Sequence, residues 1–412
     1  MDGKQVTWLG DLRSSAARRF EAMSWPTQEE EDWRRTDLGK LDLASYAAGE
    51  GSASPTRSVP VPLGVAGFAR FDEGGCVEVG IADAWSSKGV RLLSMEDIQD
   101  PDATRVALLL FDALEKAEDR ISVWHFAELQ HGAFLYVPPG LEIDEPFLFD
   151  FEERGSGRFE APQVAIVLDQ GARAKATVRV SESYPSRLLC NARTDLSLGD
   201  ASALGLFESQ ALGLDSLHFH RINARLGKDA SLDRVEVELG ASLARTRVDC
   251  SLEGRGAEAQ LGGLYYCGPG QHADIGTIQR HVSAGATSRA FYKGAASGGG
   301  RSVFQGLIEV GEGASGTDAY LSNRNLLLGD EARADSIPTL KIGNNDVKCS
   351  HGSATGRLGE EELFYLRSRG FSEAEAREML VLGFFEEVLA RAPEAFREDS
   401  LSGIRRRLPE AV

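Results

Sequence analysis

The chain has no stretch approaching the roughly 20 consecutive apolar residues that a membrane-spanning helix needs. Its first residues, Met1-Asp2-Gly3-Lys4-Gln5, lack the basic end and apolar run of a secretory signal, so a cytoplasmic protein is expected. Cysteine is sparse. Cys76, Cys190, Cys250, Cys267 and Cys349 are odd in number, widely spaced and contain no C-x-x-C. That pattern argues against a disulfide framework and against a self-contained zinc or cluster knuckle. If metal binds, this chain supplies only part of the coordination. Positive charge is also short: 45 Lys and Arg against 63 Asp and Glu leave a net charge of −18. Such a field repels a phosphate backbone, and the single compact basic run is Arg405-Arg406-Arg407, so nucleic-acid binding is not expected. No Gly-x-x-x-x-Gly-Lys-Ser/Thr is present, so ATP hydrolysis would belong to another chain. No pair of carboxylates is placed to suggest glycosidase chemistry.

What is present falls into three textures. Residues 1–122 read as a helical or mixed domain. Thr27 and Glu30 form a capping box after Pro26, and the spacing of Val106, Leu109, Leu110 and Leu114 predicts a helix from Asp102 to Glu118. The Gly/Ser/Pro-rich stretch Gly49 to Pro62 reads as a linker. Residues 123–355 are a series of short strands. Val164 to Leu168 is a nearly continuous apolar run, while Val235, Val237 and Leu239, and then Val248, Cys250 and Leu252, alternate with polar residues. Residues 356–412 return to helix.

The strands are separated by small corners that recur. Gly171-Ala172, Gly199-Asp200-Ala201, Gly227 with Ala230, Gly256-Ala257, Gly285-Ala286 and Gly313-Ala314 follow one another at roughly 28-residue intervals. Glycine accepts the positive φ of a tight corner, and alanine packs inward without crowding it. An antiparallel sandwich also gives evenly spaced short strands. The fixed period favours a parallel β-helix in which each rung buries its apolar row against the next.

In the C-terminal region Glu360, Glu361 and Glu362 suit a helix N-terminus, Gly370 a C-cap, and Ser372 with Glu375 a second capping box. The helix that follows carries two apolar stripes, Ala376, Met379, Leu380 and Phe384 on one side, Val381, Phe385 and Leu389 on the other. One reading buries the helix wholly in its own domain; the other gives one stripe to a partner.

Toward the end the sequence reads Asn323-Arg324-Asn325-Leu326-Leu327-Leu328, then Pro338-Thr339-Leu340-Lys341-Ile342, then Asp346-Val347-Lys348-Cys349-Ser350-His351-Gly352, then Leu363-Phe364-Tyr365-Leu366-Arg367-Ser368-Arg369-Gly370. This order resembles the C-terminal signature of the SufB/SufD family of iron–sulfur cluster assembly proteins. Trp25-Pro26 with Glu31-Asp32-Trp33-Arg34-Arg35-Thr36, the Phe134 to Gly140 run, Asp274 to His281 and Tyr292-Lys293-Gly294 extend the likeness over most of the chain. The resemblance implies a right-handed parallel β-helix flanked by helical N- and C-terminal domains. SufB-type chains are similar in having a cysteine four positions after the proline matched by Pro338; here that position is Ile342, which places the likeness on the SufD side. Lys341, Asn344-Asn345 and Arg35 depart from the pattern.

The function implied is that of a non-catalytic scaffold that pairs with SufB and docks the SufC ATPase on its C-terminal helices, through Met379, Leu380, Val381, Phe384 and Phe385. A transient iron–sulfur cluster shared with SufB is implied, and reduced flavin somewhere in the complex, although no dinucleotide fingerprint anchors it. The family places His351 at the SufB interface, where imidazole suits iron. Cys349, two residues earlier, would lie on the same side of a strand and present a thiolate beside it, or simply pack as a buried thiol. A homodimer is open to the isolated chain. Two alternatives are a SufB-like subunit holding the cluster directly and a β-helix carbohydrate-active enzyme. Cys250 and Cys267 read as packing residues; Cys76 and Cys190 are assigned nothing. His218 and His220 share a face with metal-like spacing, but a solvated strand face is the expected setting. His272, Asp274 and His281 are expected to be structural.

Overall fold

The computed structural model describes residues 7–48, 57–58, 61, 63–72, 75–129, 131–153, 157–182 and 187–408. The chain start and nearly all of the expected linker lie outside them. The core is a parallel β-solenoid of about eight turns, built from two sheets of 11 strands each. Each turn places one strand in each sheet, from Gly132–Val137 and Glu142–Glu153 at one end to Arg333–Ile342 and Val347–Arg357 at the other. Successive rungs pair in parallel register, for example Cys250 with Gln279 and Glu236 with Gly263. The apolar row inside each rung therefore stacks on the next, and Ile222, Val248, Cys250, Leu261 and Phe304 are fully enclosed.

The corners carry the expected chemistry with a shift of position. Positive φ falls on Gly171, Gly256 and Gly285, but also on Ala201 and Asp229, while the 313 corner places it three residues on, at Gly316. The residue after each positive-φ position is small and enclosed, as with Ala172, Ala230, Ala257 and Ala286. What the repeat fixes is the small inward residue; the left-handed turn in front of it can be strained onto a non-glycine.

The two ends of the solenoid differ. At the N-terminal end, Arg91–Ser94 pairs antiparallel with Gly132–Val137, and the hairpin Gly67–Asp72 and Gly75–Ile81 continues the other sheet beyond Glu142–Glu153. The helices Thr7–Ala22, Asp102–Glu115 and Arg120–Glu128 pack on the outer face of the first rungs, against Phe134, Tyr136 and Ala165. Val106, Leu109, Leu110 and Leu114 form the buried face of the second of these, as their spacing requires. With the two-residue strands Ala47–Ala48 and Arg57–Ser58, the first region thus supplies five strands to the sheets. The 122/123 limit read from sequence falls inside Arg120–Glu128, and the 355/356 limit inside the last strand. Only half of the Thr27–Glu30 box forms: the Thr27 amide donates to Glu30 Oε1 at 2.9 Å, but the Thr27 hydroxyl accepts from the Glu29 amide, and a 3₁₀ turn, Glu31–Trp33, follows rather than an α-helix. That segment is strapped to the outside of the solenoid. Arg245 lies over the Trp33 ring at 3.7 Å and bridges Asp32 and Asp274, and Thr36 donates to Asp274 at 2.6 Å. His272 and Asp274 are parts of this strap.

At the other end three helices, Glu360–Ser368, Glu373–Leu389 and Glu394–Arg407, follow the last rung. The Ser372–Glu375 capping box is formed. Among the described residues no helix is long and apolar enough to cross a membrane.

Burial drives the acid behaviour of the fold. His125 and His131 are enclosed, and desolvation holds both imidazoles down at about 4. Between pH 6.5 and 4 the unfolded chain binds protons that these native imidazoles refuse. Stability should therefore fall with falling pH across that window, each imidazole contributing about 1.4 kcal/mol per pH unit. Denaturation midpoints at pH 6.5, 5.5 and 4.5 check this; replacing His131 with glutamine should flatten the slope by one imidazole's share.

Candidate functional site

Among the described residues, the last rung, Arg333–Ile342 and Val347–Arg357, is the one place where full-length strands of both sheets lack a further strand. Arg333–Ile342 pairs only with Arg301–Val310, and Val347–Arg357 only with Thr317–Leu327. No residue in either strand is buried, although the strands before them are half or more enclosed. Leu340 and Ile342 are exposed, and a row of main-chain N–H and C=O groups faces outward, a template for another strand edge.

Both singled-out donors sit on this rung. The ladder sets Cys349 beside Ala319 and His351 beside Leu321, both of which point into the core. Cys349 and His351 therefore continue two inward columns to the position where a following rung would cover them. Cys349 is half-buried and packs against the core, whereas His351 is exposed. Desolvation, the largest cause, pushes the Cys349 thiol above its usual range. It is a protonated thiol near neutrality, and metal binding would have to displace that proton. A thiol and an imidazole are soft-to-borderline donors suited to iron, and two donors on an open edge leave the rest of a coordination sphere to whatever covers it. Ile342, exposed on the neighbouring strand, adds no donor.

The other cysteines are enclosed. Cys250 and Cys267 face the core, and desolvation raises both thiols, Cys267 to about 12. Cys76 and Cys190 are buried as well. His281 is interior, within 2.7 Å of Ser288 Oγ. His218 and His220 correct the expectation of a solvated face: they are 1% and 8% exposed. Their positions share the parity of Ile222, Ala224 and Leu226, which point inward on the same strand. That parity was readable, but the run of polar side chains masked it.

The helix Glu373–Leu389 resolves its two stripes unequally. Ala376, Val381, Phe385, Val388 and Leu389 are buried, in one cluster with Val235, Val237, Leu264 and Tyr266 of the solenoid. Val381 and Phe385 are thus consumed inside the chain. Leu380 and Phe384 are half-buried and Met379 is 45% exposed. Lys293, itself nearly enclosed, donates to the Phe384 carbonyl at 2.6 Å and pairs with Glu387 at 3.0 Å, pinning the helix to the sheet. The preceding helix, Glu360–Ser368, has no buried residue at all. Phe364 is 75% exposed and Tyr365 56%, and with Phe371 and Met379 they add aromatic and apolar surface to the outer side of the helical pair. Phe364, Tyr365 and Phe371 were not singled out as partner-facing from sequence. The signal available was an acidic-capped helix whose apolar residues have no counterpart to pack against.

The family match runs from within the strand Glu142–Glu153 to within the helix Glu373–Leu389. Residues 151–384 match the model described as SUF system FeS cluster assembly, SufBD core domain. The chain is 32% identical over 283 residues to an iron-sulfur cluster assembly SufBD family protein of Mycobacterium bovis, covering 66% of this chain and 70% of that one. An equally similar SufBD family protein occurs in Mycobacterium tuberculosis. This solenoid protein belongs to the SufBD family. Within it the likeness is to SufD: the iron-sulfur cluster assembly protein SufD of Escherichia coli is 28% identical over 390 residues, 93% of this chain and 89% of that protein.

Thiol labelling separates the five cysteines. Native protein treated with a small maleimide should gain a single adduct, at Cys349, slowly at neutral pH and faster as pH rises. Peptide mass spectrometry showing earlier modification of Cys250 or Cys267 would contradict this placement.

Proposed function

We propose that this chain is a SufD-like, non-catalytic scaffold subunit of a cytoplasmic iron–sulfur cluster assembly complex. Its open rung receives a SufB-type partner and its C-terminal helices carry a SufC-type ATPase. The observation that carries the reading is the asymmetry of the solenoid. One end is continued by an antiparallel hairpin and a further antiparallel strand, and the other stops on two bare strands that present Cys349 and His351. Membership of the SufBD family and the likeness to SufD support it.

On this reading the cluster is cargo. Cys349 and His351 contribute two donors and the partner supplies the remainder. The same edge would let the isolated chain pair with a second copy of itself. Reduced flavin, the other group suggested by the resemblance, is assigned no residues here, and no step is derived through it. The aromatic surface of Phe364, Tyr365 and Phe371, continued by Met379, Leu380 and Phe384, is the docking face for the ATPase. Closure of two ATPase copies would then move these helices, and the Lys293 pin would pass that movement to the sheet that ends in Val347–Arg357. A SufB-like role as sole cluster holder is disfavoured by Ile342, and nothing in the family comparison supports a carbohydrate-active enzyme.

Co-expression with SufB- and SufC-type partners tests both surfaces. Changing Phe364 and Met379 to glutamate should abolish recovery of the ATPase while SufB pairing persists. Changing Leu340 and Ile342 to lysine should do the reverse. His351→Ala should lower cluster yield with the complex intact; unchanged yield would remove its ligand role.

A further inference from the structure

The middle of the solenoid holds charge that the scaffold reading does not use. Glu208, Arg234, Glu236 and Glu238 all point inward from two successive strands of one sheet, and each is at most 4% exposed. Arg234 donates to Glu208 at 2.5 Å and to Glu236 at 2.7 Å, and its Nη1 lies 3.4 Å from the Tyr292 hydroxyl. The facing sheet brings His218 and His220, with His218 Nδ1 3.6 Å from Glu238 and His220 Nε2 3.6 Å from Glu208. Thr194 completes the ring, donating to Glu208 at 2.9 Å, and Thr246 donates to Glu238 at 3.1 Å.

The next strand leaves room for this group. A side chain at Gly263, the ladder neighbour of Glu236, would strike both Glu236 and the Tyr292 ring, with Cβ contacts of 2.7 and 2.5 Å. Tyr292 therefore leans across the gap toward the carboxylate, and Tyr265 lies beyond it. Three carboxylates face one guanidinium, so the ionised cluster carries two negative charges in excess. Several of its polar atoms make no hydrogen bond to protein, namely Glu236 Oε1, Glu238 Oε2 and both nitrogens of His218, although His218 Nδ1 and Glu238 Oε2 face each other at 3.6 Å. Uncompensated charge in an interior this dry is far costlier than a proton taken from water. No group of three or more His, Cys, Asp or Glu side chains among the described residues is arranged to hold a metal ion.

We propose that the centre of the solenoid is a proton-binding site, in which Glu236, held between Arg234, Glu208 and Glu238, keeps in weakly acidic solution a proton that the unfolded chain would give up. Its unpartnered Oε1 becomes a hydroxyl facing the open side of the cluster, and the neutral acid still accepts from Arg234 through Oε2. Burial is the largest cause and raises this carboxyl to about 7, with Glu238 and Glu208 adding to it and Arg234 opposing. Burial holds His220 well below the imidazole range, aided by His218 and Arg234, so His220 is not the carrier. The site is independent of the partner assignments above.

Linkage fixes the sign. Between pH 4.5 and 7 the unfolded glutamate has lost its proton and the native one has not, so this group's contribution to stability falls as pH rises. Glu236→Gln copies the protonated shape and cannot titrate. Denaturation of the full-length wild type and E236Q across pH 4.5–8 should show the variant gaining about tenfold in relative folding constant per pH unit up to about pH 7. A ratio independent of pH overturns the proposal. If E236Q does not fold, infrared difference spectra of the wild type between pH 6 and pH 8 serve instead. The loss of a buried carboxylic-acid C=O band supports the site, and its absence refutes it. Metal analysis finding a stoichiometric ion lost in Glu238→Gln would also overturn it.

Discussion

The parallel main-chain ladder is the constraint from which the rest follows. Every interior strand has a neighbour on each side and both donates to and accepts from each of them, so each rung both completes the one before and demands the one after. A stack of this kind needs something at each end. Here the N-terminal end meets that need within the chain, through a hairpin and a further antiparallel strand. The C-terminal end does not, and the same ladder that stabilises the core leaves two open edges on its last turn. The functional reading grows from that asymmetry.

The columns inside the solenoid give those edges their chemistry. In-register stacking means that a residue's role depends on its column as much as on its rung. Cys349 sits over Ala319 and Ser288, and His351 over Leu321, Ala290, Leu261 and Arg234, in rows that are enclosed until the last turn. Only there do the rows end in sulfur and nitrogen donors. The adjoining column runs from Glu208 and Glu236 through Gly263 and Tyr292 to Asn323, polar throughout and held by hydrogen bonds such as Asn323 to Tyr265 at 2.9 Å. Mixed rows and a mainly polar row thus run side by side. The polar one concentrates buried charge, which limits how the core tolerates changes of pH.

Much of this was legible in sequence because the repeat is short and its corners are chemically distinctive. Val248, Cys250 and Leu252 announce an inward face, and the small residue at each corner announces the turn. The Ser372–Glu375 cap and the Asp102 helix were equally plain. What sequence hid had identifiable causes. His218 and His220 were read as solvated because polarity was taken for exposure, whereas this solenoid interior gathers polar and charged side chains into a buried cluster. The strands near Gly67 and Arg91 were missed because they are isolated from the repeat and gain their place only by pairing with it. Val381 and Phe385 could not be told from Met379 by spacing alone; which stripe faces the sheet depends on the cluster formed by Val235, Val237 and Tyr266. The thiol and imidazole could be named in sequence, but their exposure rests on where the stack ends.

Hydrogen exchange on the open strands probes the central claim most directly. In the isolated chain as a monomer, amides facing outward along Arg333–Ile342 and Val347–Arg357 should exchange quickly, while those of Leu243–Leu252 stay protected. On assembly with a SufB-type partner, the two end strands should become protected without change in the middle rungs. Protection that appears elsewhere and leaves both end strands fast would contradict the account.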